Sequence, residues 1–523
     1  MRYMNNLKIN NSHYCLKHLR RFKSGLQKSQ EWNSVVGLEI HAQINTKSKL
    51  FSGASTDFGK PVNSCVSFFD CATPGTLPVI NKKCVEAGVL TALALSCQLN
   101  EVSLFDRKHY FYADLPAGYQ ITQQRQPLAF NGELKFNVIS PGVNKQPYVK
   151  VSNIKQLQLE QDSGKSLHDV SRGRSLIDLN RAGVPLMELV FEPDLKNGEE
   201  AVALVKELMI ILQRLNSCSC KMEEGALRVD ANISIHKPTE PFGVRTEVKN
   251  LGSIRALSGA INYEISRQIN AVKSGQIIIN ETLSWDADSQ KTIPMRDKEK
   301  MQDYRFMPEP NLPPLRLHMR PDCVNELNLV DVCKLEAQLP ELPEETREKM
   351  KKNYGLSSST VIAIVNNAIL TQLFDNIISE NHSRNPKTVA NILLMELMEF
   401  INRYKLDLET LAISSTQLGE LIDLFQSKTI NLNTVKKVLI QLAENPEKSP
   451  GQIVTESKWA QINDDDELTK LCESVIQENS KVATQYKAGK TKMLRALLGE
   501  VVKKSSGLAN MKKVTEIMEK LLK

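Results

Sequence analysis

The chain has no uninterrupted apolar run near the roughly 18 residues that a membrane-spanning helix requires, so no membrane insertion is expected. It also lacks a GxxxxGK[ST] loop, a GxGxxG turn after a strand and a GxSxG elbow. Those absences exclude the standard nucleotide-binding loops and the serine-hydrolase nucleophile. Its ten cysteines form no pair of CxxC units: Cys218 and Cys220 make a lone CxC, and Cys65 and Cys71 stand too far apart for half a zinc site. Reduced thiols are the expectation for all ten.

Acidic residues are missing from the first 30 positions, which hold seven bases: Arg2, Lys8, Lys17, Arg20, Arg21, Lys23 and Lys28. The other 60 bases of the chain's 67 therefore face 60 acids, and the net charge of +7 belongs to this leader. The leader is rich in Ser and Asn, has Leu16, Leu19, Phe22 and Leu26 at helical spacing, and lacks a secretory apolar core, the pattern of a mitochondrial transit peptide. A basic arm that touches RNA is the other reading. A second basic stretch lies at the far end, where residues 481–523 hold eleven Lys or Arg against three Glu. Basic ends are the footprint of an anionic partner.

With 523 residues, several domains are expected. From Ser34 to about 320, short alternating strands punctuated by Gly and Pro predominate, with a clear helix over Gly198 to Leu215 whose Ala201, Leu204, Val205, Leu208 and Leu212 share a face. The Pro-dense stretch Ile293 to Leu317 reads as an extended wrap. Beyond about 325 come helices such as Pro386 to Tyr404, Ser415 to Ser427 and Leu432 to Glu444. The last piece, from about 451, holds two amphipathic helices joined at Ser505 to Gly507. In it Met493, Leu494, Leu497, Leu498, Val501 and Val502 form an apolar stripe flanked by Lys490, Lys492, Arg495, Lys503 and Lys504. These five bases can meet phosphates, or simply face solvent. The expected fold class is α+β.

Three strands offer chemistry. Val35 to Ile44 sets Glu39, His41 and Gln43 on one face and apolar residues on the other, and a carboxylate beside an imidazole can bind a divalent cation or share a proton. Gly225 to Ile235 aims Arg228, Asp230 and Asn232 the same way, just after Lys221, Glu223 and Glu224. Val151 to Glu160 ends in the turn Glu160, Gln161, Asp162, Ser163, Gly164, Lys165. Three such strands predict one carboxylate-walled pocket, suited to phosphoryl transfer in which acids hold Mg²⁺ and bases neutralise phosphate.

These segments resemble the B subunit of tRNA-dependent amidotransferases. The matching stretches are VVGLEIHAQI (from Val35), PGTLPVIN (from Pro74), HYFYADLPAGYQITQ (from His109), LEQDSGKS (from Leu159), DLNRAGVPLMELVFEPD (from Asp178), KMEEGALRVDANISI (from Lys221) and RTEVKNLGSIRAL (from Arg245). The terminal GKTKMLRALLGEVVKKSSGLAN (from Gly489) is similar to the family's helical tail. The resemblance implies a cradle-like catalytic domain over 31–325, a helical domain over 326–450 and a basic tRNA-binding tail over 451–523, behind a transit peptide at 1–30.

It further implies ATP-dependent phosphorylation of the γ-carboxylate of glutamate on tRNA(Gln), then displacement of phosphate by ammonia, in the mitochondrial matrix. The chain shows no amidase signature of its own, so an amidase-fold glutaminase (the A subunit), a small C subunit and misacylated Glu-tRNA(Gln) are the implied partners, with ATP and Mg²⁺ as cofactors. Carried onto this chain, the resemblance implies Glu39, His41, Glu160, Glu224 and Glu223 as metal ligands. Glu39, His41, Lys221 and Arg228 are implied as catalytic. Arg181, Asp230, Asn232, Lys249, Asn250, Tyr112, Asp114, Tyr119 and Gln120 would bind nucleotide or substrate, and Lys490, Lys492, Arg495, Lys503 and Lys504 would bind tRNA. Three positions depart from the family pattern: Gln161 where an acid is common, Met307 in place of an aromatic ring, and Glu500 among the tail's bases. A non-catalytic tRNA-binding scaffold and a free-standing carboxylate–amine ligase are the competing readings.

Overall fold

The computed structural model describes residues 32–139, 146–295 and 304–522; the basic leader expected at 1–30 lies outside the described residues. The chain divides into two compact units. The first is built on the chain up to Leu134, Val151–Val205 and Leu215–Gln338; the second takes Lys135–Lys150, Lys206–Arg214 and Leu339–Lys523.

A mixed nine-stranded sheet organises the first unit. Its strands in chain order are β1 (Asn33–Gln43), β2 (Gln98–Leu99), β3 (Ala129–Val138), β4 (Tyr148–Gln161), β5 (Pro185–Phe191), β6 (Leu227–His236), β7 (Thr246–Lys249), β8 (Thr282–Asp286) and β9 (Lys291–Pro294). Across the sheet they run β9-β8-β7-β6-β1-β5-β4-β3-β2. β1 is thus central, antiparallel to β5 on one side and β6 on the other, and β4 follows β5.

The alternation expected of β1 and β6 holds. Leu38, Ile40, Leu227, Val229, Ala231 and Ile233 are buried on one face, as are Leu157, Leu159, Met187 and Leu189 from β4 and β5. That apolar face is covered by helices. α1 (Lys82–Ala94) is capped by Asn81, which accepts from the Lys83 amide at 3.0 Å. Its Gly88 lies against the sheet, where an added Cβ would come within 2.7 Å of Leu128 Cδ2 and 3.2 Å of Leu159 Cδ2. α2 (Gly198–Arg214) buries the five residues expected on its apolar face. α3 (Ile254–Lys273), capped by Ser253, buries Leu257, Ala260 and Ile261. The opposite face of β1, β4, β5 and β6 carries polar side chains.

A three-stranded sheet of Arg305–Pro308, Asp106–His109 and Tyr119–Thr122 includes part of the Pro-rich wrap. Met307, where an aromatic ring is usual, is 55% exposed, so the missing ring is lost from a surface and not from the core.

The second unit is helical. Pro386–Asn391, a π-helical turn at Ile392–Leu397 and Met398–Tyr404 run on as one rod over the span expected from sequence. One apolar cluster gathers Met350 to Val454, and a separate one gathers Leu468 to Leu522. In the latter, Met493–Lys504 and Met511–Leu522 are the two expected amphipathic helices, with Leu497, Val501, Val514 and Met518 buried. Val502, expected in the apolar stripe, is 37% exposed instead: at one residue past Val501 the helix has turned by about 100°, which carries it to the rim. No single described helix is long and apolar enough to cross a membrane.

Candidate active site on the polar face of the sheet

Register builds the site. His41 on β1 lies opposite Glu188 on β5 and Arg228 on β6; Glu39 lies opposite Asp230; and Glu188 lies opposite Gln158 on β4. Residues paired across antiparallel strands share a face, so all of these project to the polar side, together with Glu160 two residues beyond Gln158. Ligand atoms of His41, Glu160 and Glu188 lie within 4.8 Å of one another, the one such group among the described residues. His41 Nε2 stands 3.8 Å from Glu188 Oε1, while the other Glu188 oxygen accepts from Gln158 Nε2.

Burial dominates the electrostatics. It pushes the Glu160 and Glu188 carboxyls above their ordinary range despite the nearby Lys108 ammonium, and it pulls His41 below the ordinary imidazole value despite Glu160 and Asp230. Burial also opposes the charge on Lys108, but Glu160 and Glu188 outweigh it and hold that ammonium in its charged form. Glu160 Oε2 has no hydrogen-bond partner; the Lys108 Nζ stands off at 3.6 Å. Two buried carboxylates with an unsatisfied oxygen, beside an imidazole that burial keeps neutral, form a donor set that fits a divalent cation. The carboxylates suit Mg²⁺, and the imidazole suits Mn²⁺ or Zn²⁺ as well.

Around this cluster, Glu39 Oε1 accepts from Asn232 Nδ2 at 2.9 Å, and Asp230 accepts from the Asn250 amide at 3.3 Å. Arg228 Nη2 donates to Asp162 at 2.7 Å, and Asp162 holds its guanidinium firmly charged. Lys249 Nζ lies 3.7 Å from Glu247 on the same strand. Glu39, Arg228, Asp230, Asn232, Lys249 and Asn250, with His41 and Glu160, are the sequence-derived candidates that the fold brings together.

Others are placed elsewhere. Glu223 is exposed and Glu224 pairs with Lys221 at 2.9 Å in the turn before β6, so neither joins the three-residue group. They precede Gly225, whose φ of 75° reverses the chain, and strand alternation does not govern their direction. Arg181 donates to the carbonyls of Ser163 and Gly164 at 3.0 and 2.6 Å, clamping the turn after β4, and its guanidinium lies 3.5 Å from Asp162, the acid that also holds Arg228. Asp114 accepts from Ser166, and Gln120 from its buried position donates to the Gln161 carbonyl. Tyr119 lies under the Arg107 guanidinium and lines a cavity of about 340 Å³ with Asp70, Gln161 and Asp162. Tyr112 stands half exposed against Tyr110. Gln161 follows Glu160 and so faces that cavity, outside the His41 cluster.

Sequence reasoning missed Glu188 and Lys108. Glu188 left a signal, a single acid within the apolar strand PLMELVF, since a charge in a buried strand demands a partner. Lys108 sits in an ordinary basic run and left none. All nine described cysteines are free, as expected. In the tail, Lys490, Lys492, Arg495, Lys503 and Lys504 are exposed, and Glu500 is taken up by Lys503 at 2.6 Å.

A family profile described as the GatB/GatE catalytic domain matches residues 34–321, and one described as the GatB domain matches residues 372–522. The chain belongs to the GatB family. Proteins named as the mitochondrial B subunit of glutamyl-tRNA(Gln) amidotransferase are 54% identical over 495 residues in Aedes aegypti, covering 94% of this chain and 93% of that protein, and 48% identical in Homo sapiens, covering 94% and 89%. The B subunit of the aspartyl/glutamyl-tRNA(Asn/Gln) amidotransferase of Rickettsia canadensis is 42% identical, covering 94% and 98%. The catalytic-domain profile covers every site-bearing strand of the polar-faced sheet, and the GatB-domain profile covers the basic tail up to residue 522.

Proposed function

We propose that this chain is the member of a mitochondrial glutamyl-tRNA(Gln) amidotransferase complex that activates and amidates the glutamate carried by tRNA(Gln), working in the matrix. The observation that carries the reading is the convergence of His41, Glu160 and Glu188 on the polar face of a sheet whose other face is helix-covered. A carboxylate resists attack by an amine until one oxygen becomes a leaving group, so the γ-phosphoryl of ATP goes to the γ-carboxylate, and ammonia then displaces phosphate. A divalent cation, Mg²⁺ in this reading, supplies charge neutralisation at the nucleotide phosphates. His41, Glu160 and Glu188 hold that cation. Asn232 fixes Glu39, and Asp162 fixes Arg228, so that both groups present a set geometry to substrate before it arrives. Lys249 and Arg228 supply positive charge for phosphate oxygens.

The amide nitrogen comes from glutamine hydrolysed by an amidase-fold A subunit, held with a small C subunit. Two features support a partner on this unit. Phe68, Leu77 and Val79 are exposed around an open groove of about 640 Å³, with Phe68 75% exposed. The 340 Å³ cavity shares Phe69 and Thr76 with that groove and reaches Asp162, the partner of Arg228. A small neutral amine entering there is one ion pair away from the cluster. The exposed tail bases give Glu-tRNA(Gln) its phosphate contacts.

The test is ATP-dependent conversion of Glu-tRNA(Gln) to Gln-tRNA(Gln) by the chain without residues 1–30, co-purified with its partners and supplied with ammonium, which bypasses the glutaminase. Conversion should vanish in His41→Ala; conversion that survives moves the chemistry to a partner protein and leaves this chain a scaffold.

A further inference from the structure

Gln161 ends β4 with its backbone carbonyl held by Gln120 Nε2 at 2.9 Å, and it lines the 340 Å³ cavity that reaches Asp162. The residue is 8% exposed, and its Oε1 is buried with no hydrogen-bond partner among the described residues. Of the residues that line this cavity, Gln161 alone carries such an atom. A buried amide oxygen without a partner bears its full desolvation cost until a donor arrives. The terminal torsion of a glutamine is soft, so that oxygen can turn toward a donor in the cavity.

The charged side chains in the lining are already answered. Asp70 accepts from Lys49 Nζ at 3.0 Å, and also from Ser52 and the Ser67 amide. Asp162 is met by Arg228 at 2.7 Å and Arg181 at 3.5 Å, and it accepts from the Ser163 amide. Tyr119 lies under Arg107, whose charge is balanced by Glu309 at 2.6 Å. Glu160, the residue before Gln161, faces the His41 cluster instead. Each acid that lines the cavity therefore has a base of its own, and the lining keeps no spare carboxylate for a cation. What remains is one neutral acceptor, which selects a small uncharged N–H donor. Ammonia fits that demand in a chemically useful way. When Gln161 Oε1 takes one N–H, the nitrogen lone pair stays free to attack, whereas ammonium has no lone pair to offer. Resting on the reading that ammonia crosses this cavity to reach the activated carboxylate, we propose that Gln161 holds the nucleophile, accepting an N–H from neutral ammonia and passing over ammonium.

The experiment supplies the purified complex with ATP, Glu-tRNA(Gln) and ammonium chloride, and follows formation of Gln-tRNA(Gln). Gln161→Met, similar in length and without the carbonyl, should raise the KM for ammonium about tenfold, with saturating ammonium restoring the wild-type rate. An unchanged KM for ammonium overturns the inference. So does a loss of rate that saturating ammonium does not restore, which marks a structural role. A rise confined to the KM for Glu-tRNA(Gln) also overturns it, because the oxygen then serves the amino group of the substrate. Wild type provides a second measurement that needs no variant. If the cavity takes the neutral form, raising the pH toward the pKa of ammonium should lower the KM for total ammonium about tenfold per unit at constant kcat. A constant KM with a rising kcat means that ammonium is the form bound, and it overturns the inference even should the variant fail to assemble. Conversion that survives in His41→Ala takes down the proposed function; a null result at Gln161 while His41→Ala still abolishes conversion sinks this inference alone.

Discussion

Two sets of buried acids occupy opposite faces of the same sheet, and they are treated in opposite ways. On the helix-covered face, Glu264 of α3 accepts from Thr246, Arg267, Gln268 and Thr292, and is fully buried. Burial works against its charge, but the Arg267 and Thr246 donors outweigh it and hold its carboxyl below the ordinary range. On the polar face, Glu160 and Glu188 are as deeply placed, yet burial wins and their carboxyls are pushed up. The difference is the supply of donors. A saturated acid contributes stability, whereas an acid starved of donors retains affinity for something the chain does not provide, and such starvation marks a site.

The contrast can be broken most sharply at His41. His41→Ala should lower ammonium-supported amidation by roughly a hundredfold or more while leaving the melting temperature near wild type, because a group held for a ligand supports little of the fold. Amidation and melting falling together would make the polar face structural. On the saturated side the expected effects are reversed. Glu264→Ala should destabilise the chain by about 3 kcal/mol, read by denaturant unfolding, since it removes the acceptor shared by Thr246, Gln268 and Thr292 and leaves Arg267 with Glu281 alone. The pH dependence follows from the depressed carboxyl. The stabilisation from Glu264 is fully present above the unfolded value near 4.5 and is lost as pH falls through its lower folded value, so wild type and Glu264→Gln should converge in stability only under acid conditions.

A third kind of charge, exposed to solvent, lies in the tail. Replacing Lys490, Lys492 and Arg495 together by Ala should raise the apparent KM for tRNA and reduce the log–log salt slope by about 2 to 3, with stability unaffected. An unchanged slope would remove the tail from the tRNA interface. The smallest expected effect is Glu188→Gln, which should leave stability unchanged or raise it by about 1 kcal/mol in a thermal melt, since removing a buried charge with a raised carboxyl relieves its desolvation. A loss of several kcal/mol there would erase the distinction between the two faces.

Much of this arrangement is legible in the residues themselves. Period-two alternation in β1 and β6 predicts which face Glu39, His41, Arg228, Asp230 and Asn232 share, and the structure agrees because alternation is a local property of an extended chain. It does not govern residues outside extended segments, whose roles only the family resemblance implied. Glu223 and Glu224 sit in a turn, and Arg181 is consumed by carbonyls 17 and 18 residues away. Glu188, despite its signal as a lone acid in an apolar strand, and Lys108 were missed as site members for a different reason. Glu188 meets the cluster because its strand pairs with β1, far away in sequence, and Lys108 reaches Glu160 from a strand of a different sheet; both adjacencies are set by topology.

The sequence by itself determined the strand and helix periodicities, the basic ends, the family and the polar character of one sheet face, all of which depend on neighbours within a few residues. Only the tertiary structure decided that β5 lies beside β1 and β4 beside β5, which assembles His41 with Glu188 and Glu160 and brings Lys108 against them. It also decided which buried acids find donors and which do not. The physical reason is that desolvation and ion pairing depend on what surrounds a group in space, and in a sheet with order β9-β8-β7-β6-β1-β5-β4-β3-β2 those surroundings come from strands separated by long stretches of chain, as His41 on β1 is from Glu188 on β5.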